Sequence, residues 1–180
     1  TRLELCGVEI ETGEVLWRQP IEAFRGMNIL TPLPIGDRIF TSAHTGKAQL
    51  FEISNSGGDW TVKLVWEQER QAYMSSPVLI GNRIYMHMRN ERLTALDTTT
   101  GESLFTTRPI GKYASMIADG NRILALTNRG ELMLVDGKAE GYKLIDKMSV
   151  ANDSWAHLAI SGDYLIVRDL KAIKVYKIKG

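Results

Sequence analysis

The sequence predicts an all-β fold of four-stranded antiparallel units, on three observations. A Gly followed by Asp or Asn recurs at Gly36-Asp37, Gly81-Asn82, Gly120-Asn121 and Gly162-Asp163, at intervals of 45, 39 and 42 residues. Around each pair the texture repeats: an apolar run, the turn, then an alternating run. Such pairs make hairpin turns, because Gly accepts positive φ and Asp or Asn tolerates the next position. No stretch carries a helical period of useful length.

The repeat supplies its strands in a constant order, and Ser75 to Phe105 shows it most clearly. Second strands read Arg38-Ile39-Phe40, Arg83-Ile84-Tyr85, Arg122-Ile123-Leu124 and Tyr164-Leu165-Ile166. Third strands read Leu5 to Glu9, Ala48 to Glu52, Leu93 to Asp97 and Leu132 to Asp136. Fourth strands follow a Gly: Glu14 to Trp17, Val62 to Trp66, Glu102 to Phe105 and Tyr142 to Ile145. Asn55 to Asp59 reads as an enlarged, loop-like turn. A four-stranded unit cannot bury both faces alone, and stacking units radially buries them against one another, which is a β-propeller. A large β-sandwich also yields many short strands, but does not require matched residues at matched places in every unit.

The strand count divides the chain. Residues 1–20 supply the last two strands of a blade. Residues 21–70, 71–108 and 109–148 supply whole blades, and 149–180 three strands. About four blades are present. The expectation is the C-terminal part of a larger propeller, cut inside a blade, whose apolar end faces make the isolated piece self-associate. The first residue is Thr1, so a targeting signal would lie outside this sequence.

Composition bounds the chemistry. The chain has 180 residues, a net charge of +1 and one cysteine. That charge offers no bulk attraction to nucleic acid, and one cysteine permits neither an internal disulfide nor a cysteine metal cluster. No apolar run is long enough to span a bilayer as a helix.

Leu93-x-Ala95-Leu96-Asp97-x-x-Thr100-Gly101-Glu102-x-Leu104-Phe105 resembles the repeat of the pyrroloquinoline-quinone-like (PQQ-like) β-propeller superfamily, in which the last position is usually Trp. Val8 to Trp17 is similar, with the Trp present, and Ser75-Ser76-Pro77-Val78-Leu79 is equally typical. The fourth unit departs from the pattern, with Ile145 at the Trp position and Ala139-Glu140-Gly141 in place of the Thr-Gly turn. The resemblance is closest to bacterial PQQ-binding-like repeat proteins and scaffolds of outer-membrane assembly. It implies a non-catalytic binding or scaffold module in the periplasm or elsewhere outside the cytoplasm, with a protein partner or small polar ligand at the channel mouth. The alternative it implies is a fragment of a PQQ-dependent oxidoreductase acting on alcohols or sugars. PQQ and Ca²⁺ belong to that alternative only, and no catalytic or metal-ligating residue is assigned.

Five residues before the turn glycines stand Thr31, Ser76, Ser115 and His157. A blade's first strand lines the channel, so they are candidates for a polar ring that binds an ion, water or a small ligand. The competing role is to satisfy backbone groups between crowded inner strands. Two residues earlier come Ile29, Met74, Tyr113 and Trp155, which strand periodicity points the same way. Tyr113 and Trp155 are candidates to stack a planar ligand or anchor a peptide, and otherwise seal the channel.

Glu9, Glu52, Asp97 and Asp136 lie on separate blades, so they read as acceptors for turn N–H groups. In the resembling family, tryptophans such as Trp17 and Trp66 pack between blades against the neighbouring Thr-Gly turn. Phe105 is a weaker substitute, which predicts a looser interblade contact. His44 and His87 lie at unequal offsets from their glycines and make no shared site. Met74, Met86, Met88 and Met116 read as filler. Lys171, Lys174, Lys177 and Lys179 alternate with apolar residues, as on the solvated face of an edge strand.

Overall fold

A computed structural model describes residues 1–178. Its strands form five antiparallel sheets in chain order. The first pairs β1 (Glu4–Val8) with β2 (Val15–Pro20). The second runs β3 (Leu33–Ile35), β4 (Arg38–Ser42), β5 (Ala48–Ser56), β6 (Asp59–Gln68), and the third β7 (Val78–Ile80), β8 (Arg83–His87), β9 (Leu93–Asp97), β10 (Ser103–Thr106). The fourth runs β11 (Ala114–Asp119), β12 (Arg122–Thr127), β13 (Glu131–Asp136), β14 (Leu144–Ser149). The fifth holds β15 (Ala159–Ser161), β16 (Tyr164–Arg168) and β17 (Ile173–Lys177). A single 3-10 turn, Phe24–Gly26, interrupts the strands among the described residues.

The burial patterns explain the stacking. In the third sheet, β8 and β9 bury almost every residue, side chains of both faces included. A strand with two buried faces is apolar without alternation, which is how Ile84-Tyr85-Met86 and Leu93-Thr94-Ala95-Leu96 read. The outermost β17 instead alternates exposed and half-buried residues, as a strand covered on one face does. Four apolar clusters hold the stack, each shared by sheets adjacent in sequence. Phe40, Leu50 and Trp66 meet Ile84, Met86 and Leu96 in one. Tyr85, Leu93 and Ala95 meet Ile123, Ala125 and Val135 in the next. Among the described residues, no cluster joins the first sheet to the last.

Two local expectations are corrected. Asn55 to Asp59 is not a loop: β5 and β6 pair throughout to Ser56↔Asp59, and the turn is Gly57-Gly58, at φ of 64° and 102°. Two consecutive positive φ angles suit the right-handed twist of a long hairpin. The lysines of the last strand do not share a solvated face either. Lys174 turns inward, its Nζ 3.3 Å from Asp169 Oδ2 and donating to Val150 O at 3.1 Å. The uncovered face carries Ile173 and Val175, 68% and 60% exposed. The apolar cluster beneath β17 already holds Tyr176, and Lys174 reaches past it to two acceptors. Lys179 lies outside the described residues.

Candidate functional site

Each inner strand follows a segment that enters it from one end of the stack, and at that end the second strand turns into the third. Entering segments and turns therefore meet. The isolated bridge Ala72↔Met88 marks one such meeting, and Ile110 N–H donating to Glu91 O at 2.8 Å marks another. His44, Tyr73, Arg89, Glu91, Lys112 and Trp155 line one cavity there, of about 250 Å³. They come from four successive sheets or the segments leading into them. A depression beside Arg70, Arg89 and Met88 continues the surface on one side, and one beside Trp155 and Arg168 on the other.

The candidate polar column forms two pairs. Ser76 Oγ donates to Thr31 Oγ1 at 3.0 Å. Ser115 Oγ lies 3.3 Å from His157 Nδ1 and accepts the Leu158 N–H at 3.1 Å. Ser75, next in sequence to Ser76, accepts the Ala114 N–H at 3.4 Å. These hydroxyls stitch one inner strand to the next.

In the second column, Ile29 is half exposed and Met74 half-buried. Tyr113 is buried and stacks on Trp155, with centroids 5.8 Å apart and planes 19° apart. Tyr113 also meets His157 edge-on at 6.2 Å. Burial raises the Tyr113 phenol above its ordinary range. Trp155 gives one face to Tyr113 and leaves 43% of its surface exposed at the cavity.

His44 lines the cavity between the rings of Phe24 and Tyr73, at 5.8 and 5.7 Å. Desolvation, and then the Arg89 guanidinium, hold it below the ordinary imidazole range. His87 lies elsewhere: it is fully buried, with Nε2 2.8 Å from Gly111 O. Burial lowers its pKa too, so the neutral ring donates from Nε2.

The interblade residues sit as follows. Trp66 donates its indole N–H to Thr98 O at 3.0 Å, and its ring lies so close over Gly101 that a Cβ there would come within 2.5 Å of it. Trp17 covers Gly7 of its own sheet, where any Cβ would overlap the indole, and packs into the cluster holding Ile39, Ile53 and Val62 of the next. It meets no Thr-Gly turn, because the next sheet turns through Gly57-Gly58. Phe105 lies between Tyr85 and Tyr142, at 5.9 and 6.1 Å. The acidic column does accept turn amides: Asp97 Oδ1 takes the N–H of Thr99 and Thr100 at 2.7 and 3.1 Å, and Asp136 Oδ1 that of Lys138 at 3.0 Å. Glu52 instead lies 3.9 Å from Arg38.

Sequence reasoning missed Tyr73, Arg89, Glu91 and Lys112 and left His44 without neighbours. A signal was available. Arg89 stands eight residues after Gly81, as His44 does after Gly36, so both occupy the turn after a second strand. Comparing His44 with His87 matched residue types rather than positions. Among the described residues, no three His, Cys, Asp or Glu side chains gather to hold a metal ion. No helix is long and apolar enough to cross a membrane among the described residues.

No curated protein matches the sequence. Among solved structures, BamB from Moraxella catarrhalis superposes with a TM-score of 0.73 at 12% identity, over 98% of this chain and 52% of that one. The computationally designed Ika8 protein gives 0.65 at 12% identity, over 95% and 51%. The designed Ika4 protein gives 0.62 at 11%, over 96% of each chain. This chain thus spans about half the length of the Moraxella protein. Identities this low show the β-propeller fold alone. Residues 1–107, from the first sheet through the Thr-Gly turn under Trp66 to the end of the third, match the family model of the outer membrane protein assembly factor BamB, and the chain belongs to that PQQ-like β-propeller family.

Proposed function

We propose that this chain is a non-catalytic β-propeller module that binds a protein partner at the face where entering segments meet the turns after the second strands. One observation carries the reading: four successive sheets contribute His44, Tyr73, Arg89, Glu91, Lys112 and Trp155 to a single concavity. Tyr, Trp and Arg are the side chains that protein interfaces favour, because they combine large contact area with directed hydrogen bonds. Loops held by a rigid scaffold are where binding residues concentrate. The family is that of an outer membrane protein assembly factor, which supports a scaffold role outside the cytoplasm, in the periplasm of a bacterium. Thr31, Ser76, Ser115 and His157 then brace the inner strands beneath the face, and Tyr113 holds Trp155 from below.

Photocrosslinking on the whole protein tests this. A photoreactive residue replacing Lys112 or Arg89 should capture one discrete partner that functions in outer-membrane assembly. The same residue at Asp37 or Asn121, on turns at the opposite end of the sheets, should not. Equal capture from both ends would overturn the assignment of the face.

A further inference from the structure

The charges around the cavity do not cancel. The cavity and its two flanking depressions are lined by Arg70, Arg89, Lys112 and Arg168 against Glu69, Glu91 and Asp169. One of those three acids is held by a lysine outside the lining, and a second shares its lysine with another acid. Glu69 lies 3.5 Å from Lys47, which Glu67 holds more closely at 2.5 Å. Asp169 lies 3.3 Å from Lys174, its side chain 7% exposed and its Oδ1 taken by the N–H of Lys171 and Ala172. Four cations therefore face two carboxylates without a lysine of their own, Glu69 at one edge and Glu91 in the cavity, on a chain whose net charge is only +1.

The cations are positioned to be used. Arg89, which lines the cavity, donates one Nη1 hydrogen bond to Gln71 Oε1 at 3.2 Å, and this orients its guanidinium. An oriented guanidinium pairs with a carboxylate through two parallel hydrogen bonds. Beside it, Trp155 is braced by Tyr113 and shows its outer face. A rigid indole surface suits an aromatic or apolar side chain.

From this juxtaposition we propose that the face takes an acidic peptide segment, its carboxylates on Arg89 and Lys112 and an intervening aromatic side chain on Trp155. The inference rests on the reading of this face as a protein-docking surface and adds the chemistry of the partner. Glu91 sets the limit to acidity, since it repels a carboxylate placed beside it.

The probe is a set of three capped peptides of equal length, alternating Tyr with Glu, with Gln or with Lys. Each is titrated onto the whole protein, with binding followed by calorimetry and by the indole N–H resonance of Trp155. The Glu peptide should bind and shift that resonance. Its affinity should fall roughly tenfold in the Arg89→Gln, Lys112→Gln double variant and weaken as salt shortens the Debye length. Glu91→Gln should tighten it, and Trp155→Ala should weaken it. Arg89 and Lys112 are exposed, so unchanged thermal midpoints will show that the double variant folds. Equal binding of the Gln or Lys peptide at Trp155 would overturn the acidic preference and leave the docking reading standing. Failure of all three to move the Trp155 resonance would overturn the inference, while crosslinking still decides the docking reading by itself.

Discussion

The contact between the second and third sheets and the contact between the third and fourth solve one problem with different residues. In both, the carbonyl that follows the acidic residue of a turn needs a donor from the preceding sheet. At the first contact Trp66 on β6 supplies an indole N–H to Thr98 O at 3.0 Å. At the second, Phe105 stands where Trp66 did and has no donor. Tyr85 on β8 supplies a phenol O–H to Gly137 O at 2.8 Å instead, and Arg83 donates to Ala139 O. The position equivalent to Tyr85 in the second sheet is Phe40, which lies 5.9 Å from Trp66. Phe with Trp has been exchanged for Tyr with Phe. A worn repeat motif therefore does not by itself remove the donor from the contact. The donor had moved to another strand.

The largest effect should come from closing the space under the indole. Gly101 sits at φ 73° with Trp66 directly above it. Gly101→Ala adds backbone strain and overpacking together, an expected loss of about 2–4 kcal/mol, read by chemical denaturation. If the variant unfolds with wild-type stability, Trp66 is not held against the turn.

The exchange of donors can be tested directly. Trp66→Phe leaves Thr98 O without its donor and removes ring volume, which should cost about 2–3 kcal/mol. Adding Phe40→Tyr to that variant rebuilds the arrangement of the next contact and should recover about 1 kcal/mol. Tyr85→Phe, which removes only the hydroxyl, should cost about 1–2 kcal/mol because Gly137 O loses its buried partner. Simple additivity of Trp66→Phe and Phe40→Tyr would break the comparison.

The smallest effect separates the contacts by pH. Ser42 ties the second sheet to the segment entering the third, accepting the Ala72 N–H at 3.1 Å and donating to Arg70 O at 3.2 Å. The equivalent residue one sheet on is His87, on Gly111 O. Its folded pKa lies below the unfolded value of 6.5 through burial. The unfolded chain thus binds the proton more readily, and this contribution is complete above about pH 6.5 and declines as the pH falls toward the folded value. Hydrogen exchange should show the amides around Gly111 losing protection between about pH 7 and pH 5, with those around Ala72 unaffected. His87→Gln should flatten that dependence. A pH-independent pattern would remove His87 as its source.

Much of the fold was legible because hairpins are local. Gly81-Asn82 turns a chain whose neighbours already alternate, and the Asp97 carboxylate captures amides two and three residues on. The long hairpin at Gly57-Gly58 was misread because its polar residues are strand residues facing solvent rather than loop. The site was legible only in fragments. Trp155 and Tyr113 could be taken from a column, but Arg89 and Lys112 sit on surface turns where polar residues are ordinary.

By itself, then, the sequence determined that this protein is a run of four-stranded antiparallel units, since period, turn chemistry and buried strands are written within forty residues of one another. Only the tertiary structure decided which residues of different units meet: Trp66 over Gly101, Tyr85 on Gly137, and a cavity drawing on positions from His44 to Trp155. Stacking brings such residues together across tens of residues of chain, and a local pattern carries no record of what its neighbours will present to it.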